Sequence, residues 1–222
     1  PPRATLIPWP SRFCSRSPRR GRGCGQRLIA ICRKQTGELD FLSIIFGFTT
    51  DLWRFWQRCG CQRVRFGTQR EASSGCYAAM AILPLSDAGR ALLARAVLRL
   101  EREGYWLSHL LEDNTLPLNP QPGDGQLNKD DWCELAGFAW AHRPFEASLA
   151  ALGRLAQLMP ESAPLLCAAL LQRQSATEIC RQYRLAGRKA LLLAWRSEAQ
   201  RALAIIDAER ARGCQQRVIL LQ

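Results

Sequence analysis

The hydrophobic pattern of this chain changes character at Ser86-Asp87. Before that point, short runs of β-branched and aromatic residues alternate with segments of helical period. After it, leucine and alanine recur at three- and four-residue spacing, the mark of helices with one apolar face. A chain patterned in this way folds as an α/β (α+β) region followed by an α-helical one. Domains are expected over 1–87 and 88–222, and 222 residues supply enough apolar side chains for a core in each.

Within the first region a helix is expected over 25–36, ended by Gly37, followed by a buried strand over 42–47. Thr50 or Asp51 supplies the N-cap of a helix over 51–59, which Gly60 terminates. Residues 63–67 and 76–82 read as antiparallel strands. Residues 1–18 are rich in proline, arginine and serine; they show neither period and are expected to be irregular. In the second region Ser86-Asp87 caps a helix to about 103, and a proline- and glycine-rich loop follows. Asp130-Asp131 then start a helix to about 142. Further helices are expected over 144–158, 161–172, 175–184 and 187–211.

Charge is spread unevenly. Residues 1–87 carry 14 basic and 5 acidic side chains, residues 88–222 carry 17 and 14, and residues 1–34 carry nine Lys or Arg with no carboxylate. Such a balance favours a polyanionic partner, nucleic acid or a nucleotide cofactor; a solvated basic surface is the competing reading. The ten cysteines include no CxxC pair and sit mostly in apolar stretches, where a free thiol behaves as a small hydrophobe. This usage points to the cytoplasm. His109 and His142 have no ligand spacing with cysteines, so no metal is expected. The apolar run over 41–48 is too short to span a bilayer, so no membrane is expected.

Chemistry is concentrated early. Arg20-Gly21-Arg22-Gly23-Cys24-Gly25-Gln26 runs straight into the helical period of residues 27–32. A helix N-terminus offers unpaired backbone N–H groups and positive dipole, which together hold phosphate. Glycines let the backbone approach such an anion. A basic connector with a chance run of glycines is the alternative. The spacing Arg20-x-x-Gly23-x-Gly25 resembles the acyl-CoA pyrophosphate loop of the GNAT acetyltransferases. Phe55-Trp56-x-x-x-Gly60 resembles the Phe-Tyr-x-x-x-Gly-Phe turn of the same superfamily. Residues 46–49, 52–60 and 70–77 together are similar to the bacterial tRNA(Met) cytidine acetyltransferase family, over about 19–210 and most strongly over 20–86.

This resemblance implies a partial GNAT fold followed by a helical tRNA-binding region. It implies acetyl transfer from acetyl-CoA to N4 of the wobble cytidine of elongator methionine tRNA, by a monomer. Cofactor contacts carried across are Arg20, Gly21, Arg22, Gly23, Cys24, Gly25, Gln26, Asp51 and Arg58. Asp51 reads equally as a helix cap. The family's upstream contacts fall at Phe13-Cys14-Ser15, where this chain departs from the pattern. That departure suggests a C-terminal fragment with a truncated or frame-shifted start, resuming near Arg19. The family's ATP dependence belongs to a helicase-like module, whose phosphate loop does not occur in this sequence.

Trp56 stands where many GNAT enzymes place a tyrosine acid. Glu71 and Tyr77 are the nearby candidates for base and acid, against a purely structural Ser-Ser-Gly turn. Trp53, Phe55 and Trp56 are candidates to stack on an RNA base, with at least two of them expected in the core. Arg181, Arg184, Arg188, Lys189, Arg196 and Arg201 are candidates to follow a phosphate backbone, diluted by Glu178, Glu198 and Glu209. The alternative function is a non-catalytic basic RNA-binding module, or an inactive truncated product.

Overall fold

The computed structural model describes residues 4–6, 24–35, 38–72, 74–111, 116–118, 121 and 123–220. The chain divides into two compact units, Pro1–Glu101 and Arg102–Gln222. The expected boundary at 87/88 coincides with the start of a helix that runs through this division.

In the first unit the elements are β1 (Ala4–Leu6), α1 (Cys24–Gln35), β2 (Phe41–Gly47), α2 (Thr50–Arg58), β3 (Gln62–Arg70), β4 (Tyr77–Pro84) and the start of α3 (Asp87–Leu110). The strands form one mixed sheet of order β1-β2-β4-β3. Strand β1 runs parallel to β2, with Ala4 opposite Phe41, and both other pairings are antiparallel. The helix–strand–helix–strand–strand order after residue 24 is as expected. Strand β1 corrects the expected irregularity for Ala4–Leu6, and the rest of residues 1–18 lies outside the described residues. Three residues are too few for an alternating pattern to register, and their strand character comes from pairing with β2. The central strand β2 buries Phe41, Leu42, Ile44 and Phe46, so its sequence reads as an apolar run rather than an alternation. Leu93 of α3 packs with Phe41, Val64 and Ile82 beside this sheet.

Helix α2 begins one residue earlier than expected. Its cap is Thr49, whose side chain accepts from the Leu52 amide; Asp51 lies inside the first turn, where its charge suits the helix dipole. Gly60 follows the last turn at φ +87°, a conformation that ends helices cheaply only with glycine.

The second unit is helical: the remainder of α3, then α4 (Lys129–Trp140), a 3-10 turn (Glu146–Ser148), α5 (Leu149–Leu158), α6 (Pro164–Leu170), α7 (Ala176–Gln182), α8 (Arg188–Ile206) and α9 (Ala208–Leu220). Its core joins Leu135 and Phe138 of α4, Leu152 and Leu155 of α5, and Leu191 and Trp195 of α8. Leu191, Trp195, Ala199 and Leu203 are all buried and form one apolar stripe along α8. The single helix expected over 187–211 is two. The backbone is extended at Asp207, whose carboxylate accepts from the Arg210 amide and caps α9.

Glu198, only 2% exposed, joins elements distant in sequence. Its two carboxylate oxygens accept from the Leu165 and Leu166 amides, both at 2.9 Å, at the start of α6. Trp195 Nε1 donates to the Leu165 carbonyl beside them. Burial pushes the Glu198 carboxyl above the usual range, against the lowering effect of those amides and of Arg201. The folded chain therefore binds more protons than the unfolded chain between the ordinary glutamate value and the raised one. Glu198's contribution to stability falls as pH rises through that window. In chemical denaturation at a series of pH values, Glu198→Gln is expected to show a flatter decline than wild type across this interval; equal slopes would refute the assignment.

Candidate functional site

Of the expected pyrophosphate loop, Arg20, Gly21, Arg22 and Gly23 lie outside the described residues. Cys24, Gly25 and Gln26 form the first turn of α1, which contains no carboxylate. Gly25 faces α2: a Cβ built there would stand 2.9 Å from the Phe55 ring. The absence of a side chain at this position lets the start of α1 rest against the middle of α2, a packing reason for glycine that a loop motif alone does not reveal. Asp51 and Arg58, both exposed, lie two turns apart on α2, roughly 10 Å along its axis. Asp51 approaches Arg54 at 3.6 Å, an exposed pair that adds little stability. The start of α1 and helix α2 are thus brought together, and α1 begins with the charge balance an anion requires.

Glu71 and Tyr77 flank the connection between β3 and β4. Glu71 accepts from the Ser74 hydroxyl at 3.0 Å, while its carbonyl accepts from the Gly75 amide and its amide donates to Cys76. Arg70 donates to the Gly75 carbonyl at 2.9 Å and lies over the Tyr77 ring at 4.6 Å. Tyr77 is buried. These bonds close a compact turn, so both candidate proton carriers have structural duties there.

The aromatic candidates separate. Trp56 is 1% exposed and packs against Phe46 and Phe55, which makes it core. Trp53 carries the Arg63 guanidinium, 5.2 Å from its ring, and that cation also contacts Phe48 and Phe66. Phe55 is the ring against Gly25. The sequence shows these aromatics but not the cation from β3 that they surround.

Among the basic candidates of the helical unit, Arg196 is engaged internally. It donates to the carbonyls of Phe138, Ala141 and Arg143 and lies over the Phe138 ring. Arg201 donates to Ser197. Arg181, Arg184, Arg188 and Lys189 are exposed. Of the diluting carboxylates, Glu198 is buried beneath α6. Glu178 closes a capping box with Ser175, and Glu209 lies in the first turn of α9.

Among the described residues no group of three or more His, Cys, Asp or Glu is arranged to hold a metal ion. No helix among them is long and apolar enough to cross a membrane. Cys61, Cys167 and Cys214 are buried free thiols. Burial, with Cys59 alongside, pushes the Cys61 thiol up to about 12, which suits a small core side chain rather than a nucleophile.

The helical unit presents an exposed basic edge at Arg181, Arg184, Arg188 and Lys189. Residues 89–209 match the model of a tRNA-binding domain, and the chain belongs to that family. Over a wider span it is similar to the tRNA(Met) cytidine acetyltransferase of Citrobacter koseri, at 44% identity over 212 residues, 96% of this chain and 31% of the relative. The enzymes of the same name from Salmonella typhimurium and Photorhabdus asymbiotica are 46% and 47% identical over 90% of this chain and 30% of their own length. The chain therefore spans about 30% of the length of the curated relatives it matches.

Proposed function

We propose that this chain is the region of a tRNA(Met) cytidine acetyltransferase that holds methionine tRNA and contributes to the acetyl-CoA site, acting in the cytoplasm. The observation that carries the reading is the 44% identity over 96% of the chain, which includes the sheet unit as well as the tRNA-binding domain. In this reading the first unit is a partial GNAT fold. Arg20–Gln26 cradle the donor's pyrophosphate at the start of α1, and Asp51 and Arg58 flank it from α2. The carboxylate-free first turn of α1 fits such a group. Bound acetyl-CoA would supply an acyl group to the exocyclic amine of cytidine, with one amine proton finally carried to the released thiol.

The residues of this chain then have two tasks. They position donor and RNA together, which turns a bimolecular transfer into an effectively unimolecular one, and they move a proton. Cytidine's N4 is barely basic, so proton removal accompanies or follows attack. Glu71 is the candidate base and Tyr77 the candidate acid, although the bonds of the β3–β4 turn favour a structural role for both.

Titration calorimetry of the whole chain with acetyl-CoA and, separately, with elongator methionine tRNA tests the reading. Both are expected to bind, and replacing Gly23 with a bulky residue is expected to weaken acetyl-CoA binding about tenfold by closing the backbone's approach to the anion. Binding of tRNA together with no calorimetric or thermal response to acetyl-CoA would instead establish the non-catalytic RNA-binding reading.

A further inference from the structure

We propose that the corner between α7 and α8 is the edge that grips the RNA phosphate backbone, with Arg181, Arg184, Arg188 and Lys189 as its contacts. The inference rests on the tRNA-binding reading above and goes further, by assigning the contact to one nine-residue stretch. Two kinds of observation carry it, one from charge and one from the backbone.

All four cations are exposed, and the sequence holds no carboxylate between Glu178 and Glu198. Glu198 is buried under α6 and contributes nothing at this surface. Glu178 faces Arg181 from the same helix while its carboxylate accepts from Ser175. Among the described residues, no carboxylate forms an ion pair with Arg184, Arg188 or Lys189. By contrast, other cations of this unit are engaged: Arg196 with backbone carbonyls, Arg210 over the Trp132 ring at 4.4 Å, and Arg217 with Gly213. Four long cations gathered within nine residues that hold no carboxylate suit a polyanion whose spacing they can follow. Tyr183, 39% exposed within the corner, adds an aromatic face of the kind on which bases stack.

The backbone points the same way. Helix α7 is capped at Tyr183, and the next residue, Arg184, holds φ +51°. This is the left-handed position after a helix, where glycine is the unstrained choice. The turn uses glycine once, at Gly187 with φ +94°, yet places an arginine at the other left-handed position. Strain accepted at an exposed residue is a pointer to function. The corner is also held firmly from beneath. Ile179 of α7 and Leu191 of α8 are fully buried, and the Leu185 amide donates to the Cys180 carbonyl. Its cations are therefore presented from a fixed backbone.

The test is the salt dependence of elongator methionine tRNA binding by the whole chain. Replacing all four cations with glutamine should weaken binding by about tenfold or more and make the slope of log K against log salt shallower by about 3, at roughly 0.7–0.9 per lost phosphate contact. The control Arg212→Gln with Arg217→Gln on α9 should change the slope less per charge. Arg184→Gly separates binding from folding: it should melt at the same temperature or higher and still bind tRNA about threefold or more weakly. An unchanged slope in the fourfold variant, or an equal loss per charge in the α9 control, would overturn the corner assignment while tRNA binding stands. Absence of tRNA binding by the wild-type chain would overturn the tRNA-binding reading and the corner with it.

Discussion

Gly89→Ala is expected to lower the melting temperature of the first unit by roughly 10–20 °C. Gly89 lies in the first turn of α3, and a Cβ built on it would stand 1.9 Å from the Asp40 carbonyl oxygen and 2.9 Å from its carbon. Those atoms are backbone, so no side-chain rotation relieves the collision. The carbonyl also cannot move freely, because it accepts from the Leu85 and Ser86 amides at 2.8 and 3.2 Å. The Asp40 carboxylate accepts from the Ser86 hydroxyl, which in turn receives the Gly89 amide. One added methyl group must therefore displace the bonds that fix the end of β4, the start of β2 and the start of α3. We expect a cost of about 3 kcal/mol, at the upper end of the overpacking range. Hydrogen exchange should show protection lost first in β2 and β4. Gly213→Ala on α9, where a Cβ meets nothing within 4 Å, is the control and should be neutral or slightly stabilising, since alanine is the better helix former. Unchanged melting of Gly89→Ala would refute this account of the junction.

Gly89 also shows what a sequence can and cannot disclose. The change to helical period at Ser86-Asp87 is visible to pattern alone, because amphipathic helices and buried strands have different periods. For the same reason β2, β3, β4 and the start of α3 are legible. A glycine in the first turn of a helix, however, gives no sign that a carbonyl 49 positions earlier in the chain touches it. Gly25 was readable as part of a phosphate loop, but its contact with Phe55 depends on how α1 meets α2. The strand at Ala4–Leu6 exists through its neighbour, and the break at Asp207 turns on one side-chain bond to Arg210. Local period was sufficient where one element's own residues decide its form, and insufficient where a partner elsewhere does.

The basic candidates make the point for function. From sequence, Arg196 and Lys189 are equivalent cations on one helix, offset by Glu198. The fold turns Arg196 inward to three carbonyls, buries Glu198 beneath α6 and leaves Lys189 exposed. Charge counted along a chain overstates the carboxylates that a surface partner would meet. The Arg70–Tyr77 stretch moved in the other direction: its titratable residues suggested chemistry, and the turn's hydrogen bonds supply them with a structural role. The bond from Ser74 to Glu71 and the guanidinium of Arg70 over the Tyr77 ring depend on how the turn folds back, which the order of the residues does not disclose.

The other large effect belongs to Asp131, 3% exposed in the first turn of α4. Its carboxylate accepts from Arg154, from Arg102 at 2.8 Å and from the Asn128 amide at 2.9 Å. Asn128 accepts the Asp131 amide in return, completing the capping box of α4. Arg154 is itself 5% exposed and reaches only one other acceptor among the bonds described, the Arg102 carbonyl at 3.2 Å. Asp131→Ala thus removes both a helix cap and the counter-charge of a buried guanidinium. Because water cannot take the carboxylate's place, we expect a loss of about 3–5 kcal/mol in chemical denaturation. Arg154→Met should cost less, since Asp131 keeps Arg102 and Asn128 as partners and the thioether fills the stem's volume. The double variant should be more stable than the sum of the two losses predicts, by about 1–3 kcal/mol, because the second change removes the charge that the first left stranded. Additive losses would mean that Asp131 acts through the α4 cap alone, and the ion pair would then have no measurable part in holding the helical unit together.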